Sequence, residues 1–196
     1  MADAITHIST ITPSGSASNI EFSSIPATYD DLLLIGTLKG NDATWYTPTN
    51  ANNYIRFGYS SGSFWNAASN YNYVQLYDRY SSSAFLGYAN NNASAGTSDK
   101  INAWPISGSA NDANNPAGFW MYISGYRNTT NSVGISWQLF QGGISNSLNA
   151  EQIVQLNAGT LPNTGTVAAL DRIYINCGNG NFTTSSKMSM YGISNS

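Results

Sequence analysis

Between Gly118 and Ser124 the chain reads GFWMYIS, which puts Phe119, Met121 and Ile123 on one side of an extended backbone and Trp120 and Tyr122 on the other. The pattern returns as Ile135, Trp137 and Leu139 in GISWQLF, and as Met188 and Met190 against Ser189 and Tyr191 in KMSMY. Alternation at period two marks a strand with one face in a core. An amphipathic helix needs its apolar positions three and four apart, so it does not fit these residues. AITHISTIT, SNIEF, NYIRFGY, NYNYVQLYDRY, KINAWPI and VAALDRIYINCG extend the series. DDLLLIGTL is a nearly continuous apolar run, suited to a central strand covered on both faces. One stretch, NAEQIVQL, fits a short helix capped by Asn149, but the β-branched Ile153 and Val154 fit a strand equally well. Clusters of Gly, Asn, Ser and Pro separate the runs. Roughly ten short strands with such punctuation predict an all-β fold, a single-domain β-sandwich over residues 1–196, jelly-roll-like.

Only 9% of the residues are charged, against about 25% in typical domains, so Asn, Ser, Thr, Gly and Tyr must build much of the surface. The net charge is −3 and the seven cations are spread singly along the sequence. That spacing gives no basic patch, and no nucleic-acid partner is expected. The single cysteine, Cys177, excludes an internal disulfide and is in register with Ile173 and Ile175, as a small core residue would be. MADAITHIST lacks a basic segment followed by an apolar run, and no stretch approaches 18 apolar residues. Neither a signal peptide nor a membrane partner is expected. The N-x-S/T triplets at Asn92, Asn128 and Asn181 then read as accidents of an Asn-rich chain.

Candidate chemistry is sparse. GYSSG, Gly58 to Gly62, matches the G-x-S-x-G elbow around Ser60, but SFWNAASN after it does not read as a helix. The sole histidine, His7, lies inside the first strand pattern, where a structural role fits better than that of a base. One His and one Cys make no zinc constellation. Asp112 in SANDANNP has oxygen-rich neighbours but not the carboxylate spacing of a calcium loop. Asp30 and Asp31 are adjacent, so in a strand they point to opposite faces and cannot pair as a glycosidase requires. The expectation is therefore no enzyme and no cofactor. Trp45, Tyr46, Trp65, Tyr71 and Tyr73 fall in or beside loops rich in Asn and Ser. They are candidate contacts for a glycan or for a partner subunit, since flat rings flanked by amides suit sugars and aromatics are enriched at interfaces. The alternative is that they cover the ends of the sandwich.

Four stretches resemble small virion structural proteins of tailed bacteriophages, cyanophage-type in particular. ASNIEFSSIPATYDDLLL, Ala17 to Leu34, is similar to that family's opening block, and NYNYVQLYDRYSSS, Asn70 to Ser83, to its N-Y-x-Y segment. ISGYRNTTN, Ile123 to Asn131, resembles its central turn. DRIYINCGNGNFTTSSKMSMYGI, Asp171 to Ile193, resembles its closing block, which ends in Tyr-Gly-Ile. The likeness runs in the same order along nearly the whole chain and departs at TWYTPTNAN.

The resemblance implies a final strand that closes the sandwich, with Phe182 as an aromatic plug on the preceding turn and Gly192 letting the chain leave the sheet. It implies a place in the virion, assembled in the host cytoplasm. The implied role is a capsid decoration or cement protein, a homotrimer on the major capsid protein. The alternative is a tail or head fibre that binds host-surface glycan through the TWYTPTN and SFWNAASNYNY regions.

Overall fold

The computed structural model describes residues 4–41, 53–59, 63–64, 71–81, 84–91, 100–102, 116–141, 152–161, 169–178 and 180–195. In chain order the strands are β1 Ile5–Ile11, β2 Asn19–Phe22, β3 Asp31–Leu38, β4 Asn53–Tyr59, β5 Ser63–Phe64, β6 Asn72–Ser81, β7 Ala84–Asn91, β8 Ile101–Asn102, β9 Ala117–Ser124, β10 Val133–Gln141, β11 Gln152–Leu161, β12 Leu170–Cys177 and β13 Lys187–Ile193. No described residue is helical. An eight-stranded sheet runs β1-β13-β3-β9-β10-β11-β6-β7, and a five-stranded sheet runs β2-β12-β4-β5 with β8 also paired to β4. Every strand pair is antiparallel. The fold is an all-β sandwich.

One apolar core fills the space between the sheets. The eight-stranded sheet contributes the alternating residues Phe119, Met121, Ile123, Ile135, Trp137, Leu139, Met188 and Met190, all buried. Ile55, Phe57, Ile173, Ile175 and Cys177 face them from the other sheet. The Phe57 amide donates to the buried Tyr71 hydroxyl at 3.0 Å, where β4 has no strand partner between β8 and β5. Burial without such a partner would leave that N–H unsatisfied.

Several local expectations are decided or corrected. NAEQIVQL carries the start of a strand, β11, and its Gln152–Gln155 part pairs in regular register with β6. β3 is covered on one face only: Leu32 and Leu34 are fully buried, whereas Ile35 is 48% exposed. Edge strand β1 does not alternate simply through His7. Its register shifts between His7 and Ser9, so His7 pairs with Tyr191 and Thr10 with Ser189. This extra residue is a bulge, a common way to re-aim an edge strand. It lets His7 Nε2 meet Thr10 Oγ1 at 2.8 Å, and Thr10 Oγ1 meet Ser189 Oγ at 2.8 Å.

Both ends of the sandwich are tied by the closing block. At one end Phe182 is fully buried and bridges Ala17 and Gly40, so the expected plug is in place. Beside it buried Ser186 accepts from the Lys39 amide at 2.8 Å and donates to the Lys39 carbonyl at 3.0 Å. At the other end Tyr126 is fully buried and its hydroxyl donates to the Pro26 carbonyl while accepting from the Tyr29 amide. Gly192 does not release the chain, since β13 continues through Ile193. Its role is close approach: a Cβ there would lie 2.2 Å from the Tyr29 ring.

These contacts make two mutations diagnostic. Gly192→Ala should destabilise by about 1–3 kcal/mol through overpacking against Tyr29. Tyr126→Phe should cost about 1–3 kcal/mol, because it leaves the Pro26 carbonyl and Tyr29 amide short of a partner. Urea unfolding measures both, and losses below about 0.5 kcal/mol would show that the end is held by other contacts.

Candidate functional site

The residues singled out in the sequence do not converge on one surface. Trp45, Tyr46 and Trp65 lie outside the described residues, as do Ser60 and Asp112. Tyr71 and Tyr73 are 1% and 3% exposed. Their rings pack into the core, Tyr71 on Phe57 and Tyr73 edge-on to Trp137, so neither can stack on a sugar at the surface. Period two explains this, because both alternate inward from residues that precede or open β6. His7 rests edge-on against Tyr191 with ring centroids 5.4 Å apart.

The adjacent acids come together in a way that strand geometry alone does not anticipate. β3 starts at Asp31, so Asp30 lies just before the strand and is not bound by its alternation. Both carboxylates line a shallow cavity of about 460 Å³ with Ser124, Gly125, Arg127, Asn128 and Thr129. Asn195 clasps the pair, its amide N–H on Asp30 at 2.7 Å and its Nδ2 on Asp31 at 2.8 Å. Asp31 also accepts from the Tyr122 hydroxyl at 2.6 Å and the Gly125 amide at 2.8 Å, and Arg127 pairs with Asp30.

Burial by itself would raise the Asp31 carboxyl, but the hydrogen bonds from Tyr122, Gly125, Asn195 and Ser124 outweigh it and hold the group below its usual value. The same Asp31 bond, followed by burial, pushes the Tyr122 phenol up to about 12. A carboxylate held ionised by this many donors is a poor proton donor at neutral pH. The cluster thus works as a clasp joining β3, the β9–β10 turn and the residues after β13.

A broader feature lies on the outer face of the eight-stranded sheet. Ile5, Ile35, Val74, Phe140 and Leu156 are the exposed large hydrophobics among the described residues. All five point outward from this sheet. Register aligns Ile35, Trp120, Gln138 and Leu156 as one row across β3, β9, β10 and β11. Trp120 Nε1 donates to Gln138 Oε1 at 2.9 Å within it. The next row runs Tyr191, Leu33, Tyr122, Ser136, Ala158 and Val74. Among the described side chains on this face, the only Lys, Arg, Asp or Glu are Lys187 and Asp31, at opposite margins. Alternation marks these residues as the outward set, but only strand order brings them onto one face.

Comparison of the chain with protein-family models, with curated proteins and with solved structures finds no match.

The clasp predicts a stability profile with two limbs. Asp31 is lowered on folding, so its contribution is full above about pH 4, the unfolded value, and is lost as pH falls through the lower folded value. Tyr122 is raised, so its contribution is full below pH 10 and is lost as pH climbs from 10 towards about 12. Thermal unfolding across pH should show both losses. Asp31→Asn should flatten the acid limb and bring the tyrosine titration back towards 10, and unchanged limbs would refute the clasp.

Proposed function

We propose that this chain is an accessory structural protein of a tailed-bacteriophage virion, a decoration or cement protein seated on the major capsid protein. Contact is made by the outer face of the eight-stranded sheet. The observation that carries this reading is the gathering, on that one face, of all five exposed large hydrophobics among the described residues. Eight strands about 4.8 Å apart, each about eight residues at about 3.3 Å, give a face of roughly 1,000 Å². A standard protein interface buries about 800 Å² per partner. A face of that size that carries exposed large hydrophobics and few charges among its described side chains has the make-up of an interface.

The stretches that resemble phage virion proteins support the reading at the level of the scaffold. Three of their residues, Tyr126, Phe182 and Gly192, secure the two ends of the sandwich. They speak for a shared scaffold, with function left to the faces and loops. The fibre reading retains Trp45, Tyr46 and Trp65 as candidate glycan contacts but loses Tyr71 and Tyr73 to the core.

Contacts of this kind respond little to ionic strength, because salt screens charge pairs and not apolar burial. Particles lacking the protein should therefore be less stable to heat, and adding it back should restore them at low and high salt alike. Ile35→Glu with Leu156→Glu should abolish that rescue and leave the unfolding midpoint of the free protein within a few degrees. Particles that are equally stable without the protein but fail to adsorb to cells would favour the fibre. The oligomer that goes with the cement reading is a trimer, which sedimentation velocity checks.

A further inference from the structure

The inner face of the larger sheet carries two buried polar atoms, one a donor and one an acceptor, side by side. Trp137 is 1% exposed and Asn157 is 7% exposed, and they are direct cross-strand neighbours on β10 and β11. Asn157 Nδ2 donates to the Trp137 carbonyl at 3.2 Å. That bond sets the orientation of the amide and turns its oxygen away from the Trp137 carbonyl. The Asn157 Oδ1 and the Trp137 indole Nε1–H are both fully buried, and neither has a hydrogen-bond partner among the described residues. Native interiors pair such groups with protein or with ordered water.

The strands around them shape a small chamber. β6 and β10 lie on either side of β11. From these two strands the rings of Tyr73 and Trp137 meet edge-on across β11, with centroids 6.0 Å apart, and Tyr73 is buried as well. The β11 residues opposite them are Gly159, paired with Tyr73, and Asn157, paired with Trp137. Asn157 and Leu161 face inward, so Gly159 between them does too. Gly159 brings no side chain to this layer, which leaves room beside the Asn157 amide under the two rings.

We infer that a single internal water binds in this chamber, accepting from Trp137 Nε1–H and donating to Asn157 Oδ1. The two atoms decide the class of ligand. An anion bonds the indole N–H but is repelled by the amide oxygen, and a cation meets the reverse. An apolar guest satisfies neither atom. A molecule that is donor and acceptor at once satisfies both, and water is the smallest of these. Buried waters bind in this way, on a few polar groups that the protein leaves unpaired. An indole N–H can also point at a ring face, and Tyr73 is the ring in reach. That contact leaves Asn157 Oδ1 unpaired, whereas the water serves both atoms. The water thereby adds a side-chain bridge between β10 and β11 to the ladder that already joins them. This inference rests on the core alone and does not depend on a virion location.

The test is water–protein cross-relaxation by NMR on the full chain, isotope-labelled at its tryptophan nitrogens. The Trp137 indole proton, identified by its loss in Trp137→Phe, should show a direct cross-peak to water with the sign of a long-lived complex. Asn157→Leu, which removes the acceptor, should reduce that cross-peak about fivefold or more. A crystal structure of the unaltered chain needs no variant to fold, and it should show one ordered oxygen about 2.7–3.2 Å from both atoms. Absence of the cross-peak overturns the proposal, as does its full survival in Asn157→Leu. A strongly upfield-shifted indole proton would place the N–H on the Tyr73 ring and overturns it too. So does a crystal structure in which no oxygen lies between the two atoms.

Discussion

A phenol hydroxyl buried at one end of the sandwich organises much of what surrounds it. Tyr126 reaches from the β9–β10 turn to the Pro26 carbonyl and the Tyr29 amide about 100 residues earlier, and its own carbonyl accepts from the Leu170 amide. Three distant segments are thereby fixed relative to one another at a point with no water to replace a lost bond. Tyr29, so placed, packs on Gly192, and the Asp31 clasp forms alongside. Beside them β13, β3 and β9 pair in unbroken register, which sets the rows of side chains on the outer face.

The two outer faces differ because the two sheets solve the same problem differently. Each has one side in the core and one towards solvent, and a chain with 9% charged residues cannot cover both with ions. The larger sheet leaves Ile35, Phe140 and Leu156 exposed, which is costly unless a partner covers them. The smaller sheet stacks Arg56 on Tyr54 and Arg172 on Phe64, so these long side chains cover apolar surface, and Arg172 also pairs with Glu21. The two outer faces of the sandwich are thus chemically unlike.

Period two reveals which residues face the core, and for β9, β10, β12 and β13 it does so residue by residue. It does not reveal strand order, because neighbouring strands come from distant sequence; the expectation of a jelly roll concerned that order, and the strands divide eight and five. β7, in AFLGYANN, mixes small and polar residues and gives no clean alternation. Tyr71 and Tyr73 mislead in another way: aromatics near Asn-rich loops look like surface groups until the inward parity of the adjoining strand is counted. The cation–ring face is invisible in sequence for the same reason that strand order is.

β13 lies between β1 and β3, and Thr10 meets Ser189 across 179 residues. Synthesis therefore makes the two flanking strands long before the one that joins them. Until then β1 and β3 each carry an open edge, and the inner residues of β3 lack the cover that Met188 and Met190 help to provide. Non-local pairing of this sort slows folding, and exposed edges invite pairing with other nascent chains. On the ribosome, the growing polypeptide must wait with its sheet divided, and a premature stop before Lys187 would release a chain with a gap where its third neighbour belongs.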